Sequence, residues 1–182
     1  RQVIRKALKQ KKLWEEQGFR DITLAINLST KTLTSKINFS EWEQILSGFS
    51  IDFSKVVIEI TETSDIFIVD SVIERLRRLK KLGIKIALDD FGTGYSSLNY
   101  IKKLPIDIIK LDKSFIDAVT EDGIDTVLIK NILNLANDLN YEVIAEGIET
   151  KEQLERLIYY KCEVGQGYLL SRPLTVDRIR LS

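Results

Sequence analysis

Short runs dense in Ile and Val recur along the chain: ITLAINLS (22–29), KVVIEIT (55–61), IKIALDD (84–90), IDIIKLD (106–112) and YEVIAEG (141–147), with a weaker one at VGQGYLL (164–170). Several are apolar at consecutive positions, the pattern of strands buried on both faces in a parallel sheet. Between them, apolar residues recur at helical spacing. Within 64–83, Val69, Val72, Ile73, Leu76 and Leu79 fall on one face, and Gly83 is placed to end the helix. Within 121–140, Leu128, Ile132, Leu135, Ala136 and Leu139 do the same, with Asn140 as the stop. Thr150 and Gln153 have capping-box spacing for a further helix. The opening stretch RQVIRKALKQKKLWEEQG reads as a helix already under way, so the chain is expected to be part of a longer protein.

Strands alternating with helices give either a doubly wound sheet or a (β/α) barrel. Polar residues help to choose between them. Asn27, Glu59, Asp89, Lys110 and Glu146 each lie at or near the carboxyl end of a different predicted strand. Barrels gather their chemistry at that end of every strand, so five such residues suit a barrel mouth better than one crevice of an open sheet. Six predicted strands do not close the usual eight-stranded barrel. The missing strands are expected upstream of Arg1. With two prolines and no low-complexity or linker stretch, 1–182 reads as a single domain.

Composition excludes more than it selects. Lys plus Arg and Asp plus Glu both number 27, the formal net charge is zero, and no block of one sign stands out as a DNA, RNA or membrane patch. The basic stretches at 5–12 and 75–81 sit on helical patterns and read as solvated faces. Cys162 is the only cysteine, so no internal disulfide forms, which fits a reducing cytoplasm. No apolar run approaches the ~18 residues that span a bilayer, and no signal peptide is present, so direct membrane contact from this segment is not expected. The chain has no His. Ser-His-Asp and Cys-His nucleophile systems, His general bases and His-rich zinc sites are thereby excluded. Any metal must be held mainly by oxygen, which points to Mg²⁺, Mn²⁺ or Ca²⁺.

Taken singly, each candidate also has a plain structural reading. Asn27 could form a strand-end turn, and Glu62 could favour the start of the following helix through its charge. Lys110 could pair with nearby acids, and Glu146 and Glu149 could belong to an ordinary loop. Glu59 is harder to set aside, because a carboxylate within an apolar strand is costly unless paired or metal-bound. The adjacent Asp89 and Asp90, ahead of a loop carrying Gly92 and Gly94, repel each other unless a cation holds them. Together the residues describe an all-oxygen metal centre with a nearby ammonium.

The segments INLS, IEITET, LDDFGTGYSSL, IDIIKLDKSFI, VIAEGIET and GQGYLLSRPL resemble, in order and spacing, those of bacterial EAL domains that hydrolyse cyclic di-GMP. The resemblance runs over essentially the whole chain and covers about the last three quarters of the family domain. No Glu-Ala-Leu tripeptide occurs here; its segment would precede Arg1. The resemblance implies a TIM-type (β/α) barrel, incomplete at its N-terminus, in which Asn27, Glu59, Asp89 and Asp90 are ligands of two Mg²⁺ or Mn²⁺ ions. It implies that Lys110 positions or polarises the attacking water and that Glu146 serves as general base or second-ion ligand. Glu149 and Gln166 match polar positions near the metals and the substrate. Glu62 matches the anchor of the DFGTGYSS loop, and the 91–97 region is implied in a homodimer interface.

Phosphodiester hydrolysis suits these residue types. It needs hydroxide at neutral pH and neutralised phosphoryl oxygens, which a pair of divalent cations ~3.5–4 Å apart supplies. Carboxylates are hard donors for such ions, Asn27 adds a neutral oxygen, and a lysine stabilises charge that develops in the transition state. The expected activity is conversion of cyclic di-GMP to linear pGpG in bacterial signalling. The competing readings are a catalytically silent cyclic di-GMP receptor and a pure interaction or dimerisation module. Without the Glu-Ala-Leu segment, the chain alone is expected to show little or no turnover.

Overall fold

The computed structural model describes residues 2–61, 70–92, 103–120 and 123–179. In chain order the elements are α1 (Gln2–Glu16), β1 (Leu24–Asn27), α2 (Thr30–Thr34), α3 (Lys36–Ser47), β2 (Val56–Thr61), α4 (Asp70–Lys81), β3 (Lys85–Phe91), β4 (Ile108–Leu111), α5 (Lys113–Asp117), α6 (Ile124–Asp138), β5 (Glu142–Glu146), α7 (Lys151–Tyr159) and β6 (Val164–Gln166). All six apolar runs are strands, and their order in the sheet is their order in the chain. The pairs β1–β2, β4–β5 and β5–β6 are parallel, as the consecutive apolar positions predict.

The chain divides into two compact units, Arg1–Leu88 with Gly94–Ile106, and Asp89–Thr93 with Asp107–Ser182. In the first, β2 buries Val56, Val57, Ile58 and Ile60, and α1 packs against β1. Helix α4 buries Val72, Ile73, Leu76 and Leu79, the face expected from spacing; Val69 lies outside the described residues. Gly83, at φ 95°, ends the turn beyond it with its N–H on the Lys80 carbonyl. In the two basic stretches Arg5, Lys6, Lys9, Lys12, Arg77, Arg78 and Lys81 are exposed, as a solvated face requires, and Lys11 is the exception. Lys11 is fully buried, its ammonium 3.1 Å from Glu15 and donating to the Arg20 carbonyl at 3.3 Å. Arg75 and Arg78 lie over the Phe39 ring at 5.7 and 5.8 Å, and Arg78 also pairs with Glu43 at 2.5 Å. Long cationic side chains cover apolar surface with their stems and find partners for their heads.

In the second unit, β4 is buried at all four positions, and α5 and α6 pack against β5. Helix α6 turns a different face inward from the one its Leu and Ile spacing predicts. Thr126, Ile129, Leu133 and Ala136 are buried, whereas Leu128 is exposed and Ile132 and Leu135 are half-buried. The helix is apolar around more than half its circumference, so periodicity alone does not select the stripe that meets β5. Asn140, at φ 57°, follows the helix as expected. Helix α7 begins with the predicted capping box: Gln153 N–H donates to Thr150 Oγ1, and Thr150 N–H donates to Gln153 Oε1.

Candidate active site

The second unit brings three strand ends to one cluster. Asp89 and Asp90 are carried by β3, which continues through Phe91 rather than stopping at the acids. Asp90 stands in the left-handed region at φ 55°, which Asp tolerates better than most residues, and its N–H donates to Asp89 Oδ1 at 3.2 Å. Gly92 follows at φ 97°, and a β-carbon there would meet Phe115 Cε2 at 2.2 Å. No other residue type combines that backbone with that contact.

Lys110 is the last residue but one of β4, between buried Ile109 and Leu111. Its ammonium lies 2.8 Å from Asp89 Oδ1 and 2.8 Å from Glu146 Oε1. The three side chains are 6, 13 and 15% exposed, so this is a largely desolvated arrangement in which each charge depends on the others. Glu146 ends β5 opposite Gln166 of β6, and Gln166 Nε2 donates to Glu146 Oε1. Asp89, Asp90 and Glu146 each present a carboxylate oxygen, all within 4.8 Å of one another. Three carboxylates face one ammonium, and the residual negative charge on hard oxygen donors fits a divalent cation.

Beside the cluster, a cavity of about 630 Å³ is lined by Lys113, Glu149, Gln166, Tyr168 and Arg172, among others. Glu149 and Gln166, expected near the substrate, both border it. The Arg172 guanidinium lies 4.8 Å over the Tyr168 ring. Lys113, at the cavity edge, pairs with Asp117 at 2.6 Å and Glu149 at 3.4 Å, which raises its pKa above the usual lysine value. Asp112, the N-cap of α5, accepts from Ser114 Oγ and N–H, and those bonds hold its carboxyl below the usual carboxylate value.

In the first unit, Asn27 and Glu59 stand side by side in register on β1 and β2, and Leu28 N–H donates to the Glu59 carbonyl at 2.8 Å. Glu59 is half-buried and Asn27 exposed. Glu62 and residues 93–97 of the expected interface loop lie outside the described residues. Lys113 went unread in the sequence, as did the close packing of Gly147 and Gly167. The available signal was their place: Lys113 follows an Asp cap directly after a site strand, and both glycines directly follow site residues.

The model of the EAL domain matches residues 1–173. The bifunctional diguanylate cyclase/cyclic di-GMP phosphodiesterase MucR of Pseudomonas aeruginosa is 34% identical over 180 residues, 99% of this chain and 26% of MucR. The chain thus spans about a quarter of the length of the curated relatives it matches. Among solved structures, the phosphodiesterase of P. aeruginosa MucR in complex with c-di-GMP superposes with a TM-score of 0.88 at 35% identity, covering 97% of this chain and 71% of that one. The manganese/cyclic di-GMP complex of Klebsiella pneumoniae BlrP1 superposes with a TM-score of 0.77 at 30% identity, covering 92% and 44% respectively. The fold is therefore the α/β fold of the TIM-type barrels in these structures, as the alternating elements and the polar residues at the strand ends predict. The chain belongs to the EAL-domain family.

Proposed function

We propose that the chain is the greater part of a catalytic domain that hydrolyses cyclic di-GMP to linear pGpG with two Mg²⁺ or Mn²⁺ ions. The observation that carries this reading is the Lys110 ammonium set between Asp89 and Glu146 at 2.8 Å each, beside a third carboxylate, Asp90. An interaction module has no need of Asp89, Asp90 and Lys110, and a silent receptor is expected to have lost residues of this kind. The BlrP1 complex with manganese and the MucR complex with c-di-GMP support the same ligands here.

Asp89 and Asp90 would hold the metals, and Asn27 and Glu59 are proposed as further oxygen donors from the family resemblance of INLS and IEITE. When bound, the ions supply hydroxide at neutral pH and neutralise charge on the phosphoryl oxygens. Glu146, oriented by Lys110 and Gln166, takes the proton from the attacking water. The water oxygen bonds to phosphorus, the bond from phosphorus to the ribose 3′ oxygen breaks, that oxygen takes a proton from solvent, and Glu146 releases its proton to solvent. Lys110 stabilises the negative charge that develops on the phosphoryl group. The cavity bordered by Glu149, Gln166, Tyr168 and Arg172 receives the nucleotide, whose planar bases and phosphates suit an aromatic face and a guanidinium. The proposal extends to a cytoplasmic homodimer joined through the 91–97 region. Among the described residues no helix is long and apolar enough to cross a membrane.

The test is turnover of cyclic di-GMP by the full-length protein with Mn²⁺, beside its Asp89→Ala variant. Hydrolysis to pGpG that the variant loses supports the enzyme. Binding without turnover in the unmutated protein favours the receptor.

A further inference from the structure

We propose that Lys113 is a positioning residue whose side-chain stem clamps the Gly147 turn and so fixes the Glu146 carboxylate that precedes it. The inference rests on the role given to Glu146 above, but its geometry stands independently of that role. Lys113 opens α5, three residues after Lys110, and Asp112 pins the start of that helix by accepting from Ser114 N–H at 2.9 Å and Ser114 Oγ at 2.6 Å. From there the stem crosses the backbone of Gly147. A β-carbon at 147 would meet Lys113 Cγ at 2.7 Å and Cβ at 2.8 Å, so the stem fills the space that any other side chain there would need. Gly147 itself sits at φ 76°, a conformation that bends the chain sharply just past Glu146.

The far end of the side chain is tied on two sides. The ammonium pairs with Asp117 of its own helix at 2.6 Å and with Glu149 of the turn at 3.4 Å. Asp117 also accepts from Gln153 Nε2 at 3.4 Å. Gln153 is 6% exposed, and its Oε1 accepts from the Glu149 N–H at 2.8 Å and the Thr150 N–H at 3.0 Å. A closed circuit therefore runs from α5 through Lys113 to the 147–150 turn, and back through Gln153 and Asp117. The ammonium is partly exposed, and ion pairs of that kind contribute little by themselves. Their effect here is to hold the stem extended over Gly147, where its methylenes act as packing. Glu146 is one residue away and must meet both Lys110 and Gln166, and small displacements of such a group cost rate steeply.

The account separates stem from charge, and three variants of the full-length protein test it. Lys113→Ala removes the stem and is expected to lower kcat for cyclic di-GMP by ~10- to 100-fold with KM little changed. It is also expected to weaken Mn²⁺ binding, measured by calorimetry without nucleotide, by roughly 10-fold or more. Amide exchange should speed up at Ile148 and Glu149, whose N–H groups rest on Gln166 O and Gln153 Oε1. Lys113→Met keeps most of the stem but gives up the ion pairs that hold it extended, so it should lose clearly less than Lys113→Ala in amide exchange and Mn²⁺ affinity, whereas Gly147→Ala should resemble Lys113→Ala. If Lys113→Met is as damaging as Lys113→Ala and the loss falls in KM, Lys113 touches substrate and the proposal is overturned. Unchanged exchange and Mn²⁺ affinity in Lys113→Ala overturn it equally. If the unmutated protein binds cyclic di-GMP without turnover, the enzymatic reading fails alone, and exchange and Mn²⁺ binding still decide the role of Lys113.

Discussion

The Lys110 ammonium lies 2.8 Å from Asp89 Oδ1 across neighbouring strands, and both side chains are nearly withdrawn from water. Breaking such a pair from one side leaves the other charge desolvated, which costs ~3–5 kcal/mol when burial is complete. Lys110→Met removes the ammonium from Asp89 and Glu146 together. With those two still 13 and 15% exposed, a loss near the lower figure, about 3 kcal/mol, is expected in denaturant unfolding without metal. Added Mn²⁺ should restore part of it by mass action, and cyclic di-GMP turnover should fall ~10²- to 10³-fold. A variant as stable as the unmutated protein in EDTA would contradict this picture of the cluster.

Gly167 follows Gln166, and a β-carbon there would meet the Ile148 carbonyl oxygen at 2.1 Å and its nitrogen at 2.2 Å. Backbone cannot yield as the tip of a side chain does. Gly167→Ala is expected to destabilise by about 3 kcal/mol, the upper end for overpacking, and to disturb the Gln166–Glu146 bond. Gly18→Ala is the comparison. Unlike Gly167 it has a positive φ, 94°, and a β-carbon there meets nothing within 4 Å, so its cost should be limited to backbone strain of roughly 1 kcal/mol. Equal midpoints for the two variants in urea would refute the contact argument.

How far the sequence discloses the molecule differs between strands, helices and site. Strand positions were legible because residues such as Val57, Ile58 and Ile60 are buried on both faces of a parallel sheet, and such runs admit few other readings. Helix faces were legible only where polar residues delimit them. In α4 the charged Glu74, Arg77 and Lys81 frame the stripe, whereas in α6 Leu128 and Ile129 compete and β5 selects Ile129. Asp89, Lys110 and Glu146 were visible because charge at the end of an apolar strand needs an explanation. Lys113 was not, because its role depends on a contact with Gly147, 34 positions along the chain, that no local pattern encodes.

The Asp112 carboxyl is held below its ordinary value of 3.8 by the Ser114 hydroxyl and N–H. The folded state therefore binds that proton less tightly than the unfolded chain. The stability it contributes is fully present above pH 3.8 and is lost as pH falls through that value toward the lower folded one. Asp112→Asn retains a capping oxygen but does not titrate there. Its stability relative to the unmutated protein should improve as pH falls from 5 to 3, which urea unfolding at several pH values measures. A difference that does not change with pH would refute the assignment.

Burial raises the Cys162 thiol above its ordinary value of 9.0. At neutral pH the side chain is therefore thiol, 8% exposed, with Val143 O and Val164 O as hydrogen-bond acceptors. Iodoacetamide should label it slowly in the folded protein and rapidly in urea. The folded state keeps this proton longer than the unfolded chain, so the contribution is intact below pH 9.0 and declines as pH rises beyond it. Labelling at equal rates with and without urea would contradict the burial.

The central claim is that Asp89, Asp90, Lys110 and Glu146 act together on a phosphodiester through divalent cations. Its most direct measurement is chromatographic assay of cyclic di-GMP incubated with the full-length protein, in Mn²⁺ and in excess EDTA. The account predicts pGpG in Mn²⁺ alone, and none from Asp89→Ala under either condition. Sustained hydrolysis by Asp89→Ala, or equal hydrolysis in EDTA, would contradict it.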